Sequence, residues 1–109
     1  MEILNNPRGT GKTTIIVNKA IKTGYPILVG TKNQKHFLEG ITEKYIKVYT
    51  VEEFIYMKEK PKHILIDELP CVLYELLETD VELATMTSKS LEMYDIVNKW
   101  NRCFIRKWR

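Results

Sequence analysis

The sequence predicts a single α/β domain, a three-layer sandwich in which helices cover both faces of a mainly parallel five-stranded sheet. Two observations predict this class. Short continuous apolar runs alternate along the chain with amphipathic stretches, which is the order of strands and crossover helices in a parallel sheet. The chain has 109 residues, a length typical of one domain that contains one sheet and a few helices.

The predicted strands are short apolar or β-prone runs bounded by turn residues, at residues 2–5, 26–30, 45–49, 63–67 and 81–86. Helical spacing predicts helices over residues 12–23, 33–40, 51–60, 70–78 and 88–108. Gly24 follows the first helix, where a left-handed residue commonly ends a helix. Thr50, with Glu53 three residues later, forms a capping-box pattern. The last helix is predicted from an apolar stripe of Leu91, Tyr94, Val97, Trp100, Phe104 and Trp108.

The composition excludes several classes of protein. With 44% hydrophobic and 28% charged residues, the chain has the balance of a globular protein rather than a disordered one. The net charge of +3 permits contact with phosphates but is small for a dedicated nucleic-acid binder. Cys71 and Cys103 match neither a metal-binding spacing nor a disulfide scaffold, and no apolar run is long enough to span a membrane. We therefore expect a cytoplasmic protein with reduced thiols and no membrane contact.

Residues 6–14 read NPRGTGKTT and lie between the first predicted strand and the first predicted helix. They fit the phosphate-loop pattern G-x-x-x-x-G-K-[ST] at every fixed position except the first, where Asn6 replaces glycine. Such a loop binds a polyphosphate through backbone N–H groups, which glycines leave accessible, and through the positive end of the following helix. Asparagine adopts left-handed conformations more readily than most residues, so the exchange is tolerable, although it bears on how closely the loop wraps the phosphates.

The pattern predicts the nucleotide-binding residues Asn6, Arg8, Gly9, Thr10, Gly11, Lys12, Thr13 and Thr14. Lys12 would bridge the β- and γ-phosphates, and the Thr13 hydroxyl would bind Mg²⁺. Arg8 either contacts phosphate or turns outward. The alternative for the whole segment is a flexible surface loop with a solvated lysine.

A second candidate element is the apolar strand Ile64-Leu65-Ile66, which ends in Asp67 and Glu68. The carboxyl edge of a parallel sheet is where ligands of such folds bind, and Asp67 at this edge can hold a metal ion through water. Glu68 beside it can polarise an attacking water as a general base. The alternative is a solvated acidic pair at the start of the next helix, which is less favoured when the phosphate-loop pattern occurs in the same chain.

With these two motifs, GTGKTT and LIDE, the chain resembles P-loop NTPases of the additional-strand, catalytic-glutamate division, and above all the first RecA-like domain of helicases. The resemblance implies ATP and Mg²⁺ as ligands and a RecA-like five-stranded core. It implies a strand order similar to 5-1-4-3-2. ILVGTK at residues 27–32 and VYTVEEF at 48–54 resemble helicase segments that contact single-stranded nucleic acid. Thr85 or Thr87 would be a sensor of the γ-phosphate.

A helicase also has a second RecA-like domain, which supplies an arginine to the transition state and which this sequence does not include. Because such an arginine contributes about 10³–10⁵ in rate, the resemblance implies slow ATP hydrolysis. A second copy of the chain or another protein would supply the arginine, and Arg102, Arg106 and Arg109 are candidates by position. Their alternative is a solvated location on the last helix, whose basic and aromatic residues either contact nucleic acid, bind a partner or pack on the sheet.

Two other functions remain open at the level of sequence. One is a non-catalytic module that binds nucleotide, nucleic acid or protein and uses the fold as a platform; Asn6 and the missing second domain favour it. The other is a small P-loop kinase, which the Asp67–Glu68 pair and the lack of an arginine-rich lid disfavour. The compact form also resembles proteins of bacteriophages and other mobile elements in size.

Overall fold

The computed structural model describes residues 1–5 and 11–86, and the chain divides into two compact units. One unit is Asn6–Glu82, and the other combines Met1–Asn5 with Leu83–Arg109. Within the second unit, the described residues 1–5 and 83–86 contain neither helix nor strand. The elements below all belong to the first unit. The predicted helix over 88–108 lies outside the described residues.

Helices and short strands alternate along the first unit, which confirms the predicted α/β class. Their order is α1 (Lys12–Thr23), β1 (Ile27–Val29), α2 (Lys32–Ile41), β2 (Val48–Thr50), α3 (Val51–Ile55), β3 (Leu65–Ile66) and α4 (Leu69–Leu77). The type of each element predicted between residues 12 and 78 is confirmed, although β2 and β3 begin later and α3 ends earlier than expected. Gly24 ends α1 with a φ of 75°, as its position after the helix predicted.

The three strands form one parallel sheet in the order β2-β1-β3. β1 lies in the centre, and its Ile27 pairs with Val48 on one side and with Leu65 on the other. All three residues of β1 are buried, as expected for a parallel strand covered on both faces. β3 lies at an edge of this sheet, and Ile66 remains 38% exposed.

Successive residues of β1 contribute to two separate hydrophobic clusters. Ile27 and Val29 belong to a cluster that includes buried residues of α1 and α2. Leu28 belongs to a second cluster, with Val51 of α3 and Val72 of α4. Because side chains alternate between the faces of a strand, α1 and α2 cover one face of the sheet while α3 and α4 cover the other.

The predicted five-stranded sheet is not confirmed. Residues 2–5 and 81–86, which were expected to be the first and fifth strands, are not strands in the structure. A strand requires a neighbour with which it exchanges backbone hydrogen bonds, and no described backbone hydrogen bond involves either segment. The implied strand order is wrong for the strands that the structure describes. It places the strand at 45–49 between those at 26–30 and 63–67, whereas β1 lies between β2 and β3.

Capping boxes start the helices that follow β1 and β2. The Thr50 hydroxyl accepts a hydrogen bond from the Glu53 backbone N–H at 3.2 Å, and the Glu53 carboxylate accepts one from the Thr50 N–H at 3.0 Å. This confirms the box predicted from the sequence. Lys35 of α2 donates to the same carboxylate at 2.9 and 3.0 Å. The Thr50 backbone and then Lys35 hold the pKa of Glu53 below its ordinary value. Thr31 and Gln34 form a second box, at α2.

We expect the isosteric replacement Thr50→Val to lower the free energy of unfolding by about 1 kcal/mol, because the first turn of α3 loses its side-chain acceptor. Thr50 is 3% exposed, so water does not readily replace the lost hydroxyl. Urea denaturation at neutral pH measures the change. The control is Thr50→Ser, which retains the hydroxyl, and an equal loss in both variants would contradict the assigned role of the cap.

Candidate functional site

The described part of the predicted phosphate loop begins at Gly11, which is the N-cap of α1. Gly11 has φ 81° and ψ 20°, a left-handed conformation that favours glycine. Gly11 has no side chain that could cap α1, and the first turn of the helix contains no acidic residue. The first turn itself therefore supplies no carboxylate that would offset the positive end of the helix. Lys12 and Thr13 form the first turn and are half-buried. An anion would therefore meet no competing carboxylate from this turn.

Asp67 and Glu68 lie directly after β3, at the carboxyl edge of the sheet. The Asp67 backbone N–H donates to the Leu28 carbonyl at 3.1 Å, which extends the pairing with β1 by one residue. Glu68 is the N-cap of α4, and its carbonyl accepts hydrogen bonds from the N–H groups of Cys71 and Val72 at 3.0 and 3.2 Å. Backbone bonds thus fix the carboxylate pair between the central strand and the first turn of α4.

Electrostatics connects the two parts of the predicted site. Burial first, and then the neighbouring charge of Glu68, raise the pKa of Asp67 above its ordinary value, whereas the charge of Lys12 lowers it. Lys12 is therefore near enough to act on Asp67, although the described residues show no ion pair between it and either carboxylate. Lys12 and Asp67, which are more than 50 residues apart in the sequence, are thus electrostatically coupled in the fold.

Glu68 has a strained backbone conformation that no sequence pattern indicated. Its φ of 58° and ψ of 68° lie in the left-handed region, which costs a non-glycine residue about 1–2 kcal/mol. Among the described residues other than glycine, only Glu78 shares a positive φ. Strain of this kind persists where surrounding structure holds it, and it is concentrated at functional sites.

The structure does not test the roles of several predicted site residues. Thr85 belongs to the other structural unit, so its sensor role stays a prediction. The remaining predicted residues lie outside the described part of the chain, and their roles also stay predictions: Asn6, Arg8, Gly9, Thr10, Thr87, Arg102, Arg106 and Arg109. Thr14 is described and is exposed in the first turn of α1.

A cleft of about 550 Å³ lies elsewhere on the carboxyl side of the sheet, between α2 and α3. The resemblance to helicases implied that this region contacts single-stranded nucleic acid. The Thr50 hydroxyl at its base is already used in the helix cap, and the charge of the lining is mixed. Its residues are Lys32, Lys35, His36, Thr50, Glu52, Glu53 and Tyr56. This composition lacks the uniformly positive surface that phosphate backbones favour.

Within the described residues, no group of three or more His, Cys, Asp and Glu side chains is arranged to hold a metal ion. The same residues contain no helix of the length and apolarity needed to cross a bilayer. Comparison with protein-family models, with curated proteins and with solved structures finds no significant match to this chain. Membership of the P-loop NTPases therefore stays a prediction that rests on the motifs and on their juxtaposition.

The raised pKa of Asp67 gives a test of the site without any ligand. A group whose pKa is raised on folding contributes stability below its unfolded pKa and loses it as the pH rises through the folded pKa. We therefore expect Asp67→Asn to raise the thermal midpoint of the ligand-free protein at pH 7 and to flatten the loss of stability above pH 4. Thermal denaturation between pH 4 and pH 8 measures both effects.

The control for this experiment is Asp80→Asn, at an exposed residue of the same unit. It should leave the pH dependence as it is in the parent. A lower thermal midpoint for Asp67→Asn than for the parent at pH 7 would show that the folded protein instead stabilises the ionised carboxylate.

Proposed function

We propose that this protein binds ATP with Mg²⁺ and hydrolyses it slowly, as a small P-loop NTPase resembling the first RecA-like domain of helicases. One observation carries the proposal. Lys12, in the first turn of α1, is close enough to affect the pKa of Asp67 at the end of β3. A phosphate-binding lysine opposite a carboxylate at a strand end is the arrangement that nucleoside-triphosphate hydrolysis requires.

The roles follow from the chemistry of each residue. The N–H groups of the loop and of the first turn of α1 would receive the phosphates, and Lys12 would bridge the β- and γ-phosphates. Glu68 would accept a proton from the attacking water.

Thr13 and Asp67 would hold the metal ion, and their chemistry fits it. Hydroxyl and carboxylate oxygens are ligands that Mg²⁺ accepts, together with water and phosphate. Burial and Glu68 raise the pKa of Asp67, so the ionised group has unbalanced negative charge that a cation would offset. When bound, Mg²⁺ supplies neutralisation of the charge on the β- and γ-phosphates.

The proposal includes the larger sheet that the resemblance implies. Ile66 is 38% exposed at an edge strand, yet the run Ile64-Leu65-Ile66 has the continuous apolar character of a strand covered on both sides. A five-stranded core stays part of the proposal on the strength of the resemblance and of the position of β3 at an edge of the described sheet.

A low rate is part of the proposal, because in the helicases that the chain resembles a second domain supplies the arginine to the transition state. A second copy or a protein partner that inserts an arginine would raise the rate by about 10³–10⁵. Single-stranded nucleic acid is proposed as a further partner on the resemblance alone. The widely spaced cysteines and the proposed nucleotide ligand favour the cytoplasm as the location of the protein.

The test is titration of the full chain with ATP, with and without Mg²⁺, followed by measurement of phosphate release with and without single-stranded DNA. At an ATP concentration of 100 times its Kd, binding should add about 2.7 kcal/mol to the free energy of unfolding. Binding without phosphate release would favour the non-catalytic module, and transfer of phosphate to an added acceptor would favour a kinase. No response to ATP and Mg²⁺ would contradict the proposal.

A further inference from the structure

Gly30 follows β1 directly and is buried. A Cβ atom at this position would lie 3.1 Å from the Cys71 carbonyl oxygen and 3.2 Å from the Cys71 carbonyl carbon. It would also lie 3.2 Å from the side-chain oxygen of Gln34. The described glycines with positive φ are Gly11 and Gly24, so the conformation of Gly30 is open to other residues. The requirement for glycine at this position is therefore one of space.

The contact that Gly30 permits belongs to the turn that contains Glu68. Cys71 lies in the first turn of α4, and its backbone N–H donates to the Glu68 carbonyl at 3.0 Å. On the other side of Gly30, the Gln34 side-chain oxygen accepts hydrogen bonds from the N–H groups of Gly30 and Thr31 at 3.0 and 3.2 Å. Gly30 is thus held by α2 and lies against the backbone of α4.

We propose that Gly30 is a positioning residue for Glu68: its lack of a side chain lets the first turn of α4 pack against the end of β1, which holds Glu68 in its left-handed conformation. This inference rests on the proposed function, in which Glu68 activates water. Asp67 is anchored to β1 on one side of Glu68 by its bond to Leu28. The Gly30–Cys71 contact provides the anchor on the other side.

The expected consequence of Gly30→Ala is a displacement of the turn. At these distances the backbone of Cys71 would have to move by a few tenths of an ångström, and Glu68 would move with it. Since a misplacement of 1 Å can cost about 10²-fold in rate, we expect kcat for ATP hydrolysis to fall about 10-fold. Binding of ATP with Mg²⁺ should change little, because neither of the residues nearest to the added Cβ, Cys71 and Gln34, belongs to the loop or to α1.

The experiment compares kcat and the Kd for ATP with Mg²⁺ in the parent, Gly30→Ala and the control Gly40→Ala. Gly40 lies on α2, and a Cβ there would meet nothing within 4 Å. A lower kcat with an unchanged Kd in Gly30→Ala alone supports the inference. A parental kcat in a folded Gly30→Ala protein overturns it and leaves the proposed function intact.

A second measurement does not require hydrolysis. Glu68→Gly removes the backbone strain, so it should raise the thermal midpoint of the parent. In the Gly30→Ala background the turn has already moved, and the same change should raise the midpoint by a different amount. Strictly additive shifts would overturn the inference. If the parent hydrolyses no ATP, the proposed function fails, and this cycle still decides whether Gly30 and Glu68 are coupled.

If Gly30→Ala does not fold, the experiment uses the double variant Gly30→Ala/Gln34→Ala. The second substitution provides space for the added Cβ on the α2 side. Recovery of folding with a reduced kcat would support the inference. Recovery of folding with the parental kcat would overturn it.

Discussion

Replacing Glu68 by glutamine is expected to lower the rate of ATP hydrolysis by about 10²–10⁴-fold, the usual contribution of a general base, while ATP binding is retained. Glutamine has nearly the same shape but does not accept a proton from water. The position of residue 68 is set by backbone bonds to α4 and by its anchored neighbour Asp67, so the substitution should leave the local structure unchanged.

The matched control is Glu78→Gln. Glu78 also has a positive φ, 56°, and also lies at one end of α4. The Glu78→Gln variant therefore removes one negative charge from a left-handed residue outside the candidate site. Single-turnover phosphate release and calorimetric titration separate rate from binding. Equal rates in the parent and in Glu68→Gln would show that Glu68 is not the base.

Replacing Lys12 by alanine is expected to weaken ATP binding as well as to slow hydrolysis. Hydrogen bonds to charged groups contribute about 1.5–3 kcal/mol each, so the loss of one contact should raise the Kd about 10- to 150-fold. The same lysine would stabilise charge that develops during the reaction, so kcat should also fall by a factor of about 10²–10³. This double loss distinguishes Lys12→Ala from Glu68→Gln.

A consequence of Lys12→Ala can be measured without nucleotide. The charge of Lys12 lowers the pKa of Asp67, so its removal should raise that pKa further. NMR titration of the Asp67 carboxyl measures the shift. Lys19→Ala, at an exposed residue of the same helix, is the control. An unchanged Asp67 pKa in Lys12→Ala would show that the two parts of the site are not in electrostatic contact.

Local sequence signals were sufficient for much of the fold. The run around Leu28 is apolar without interruption, and the structure buries it at the centre of the sheet. Thr50 and Glu53 form their capping box within four consecutive residues, so no distant contact was needed to predict it. Strand pairing depends on distant partners, and the composition of residues 2–5 and 81–86 could not show whether a partner was present.

Part of the candidate site could likewise be predicted from local sequence, and part could not. Lys12 and Asp67 were predicted from their positions at a helix start and at a strand end, and the fold places them within electrostatic range. The left-handed conformation of Glu68 was missed because it arises from packing between β1 and α4. The role of Gly30 was missed for the same reason, since its nearest neighbours include Cys71, 41 positions further along the chain.

The alternation of Ile27, Leu28 and Val29 between two clusters has an evolutionary consequence. Point substitutions among apolar residues can be absorbed there, because each side chain keeps its own cluster. Insertion or deletion of one codon within β1 would send every following side chain to the opposite face. It would also carry Gly30 away from Cys71. This strand should therefore tolerate changes of residue type but retain its length, whereas the exposed residues 43–45 of the loop before β2 are free to change in number.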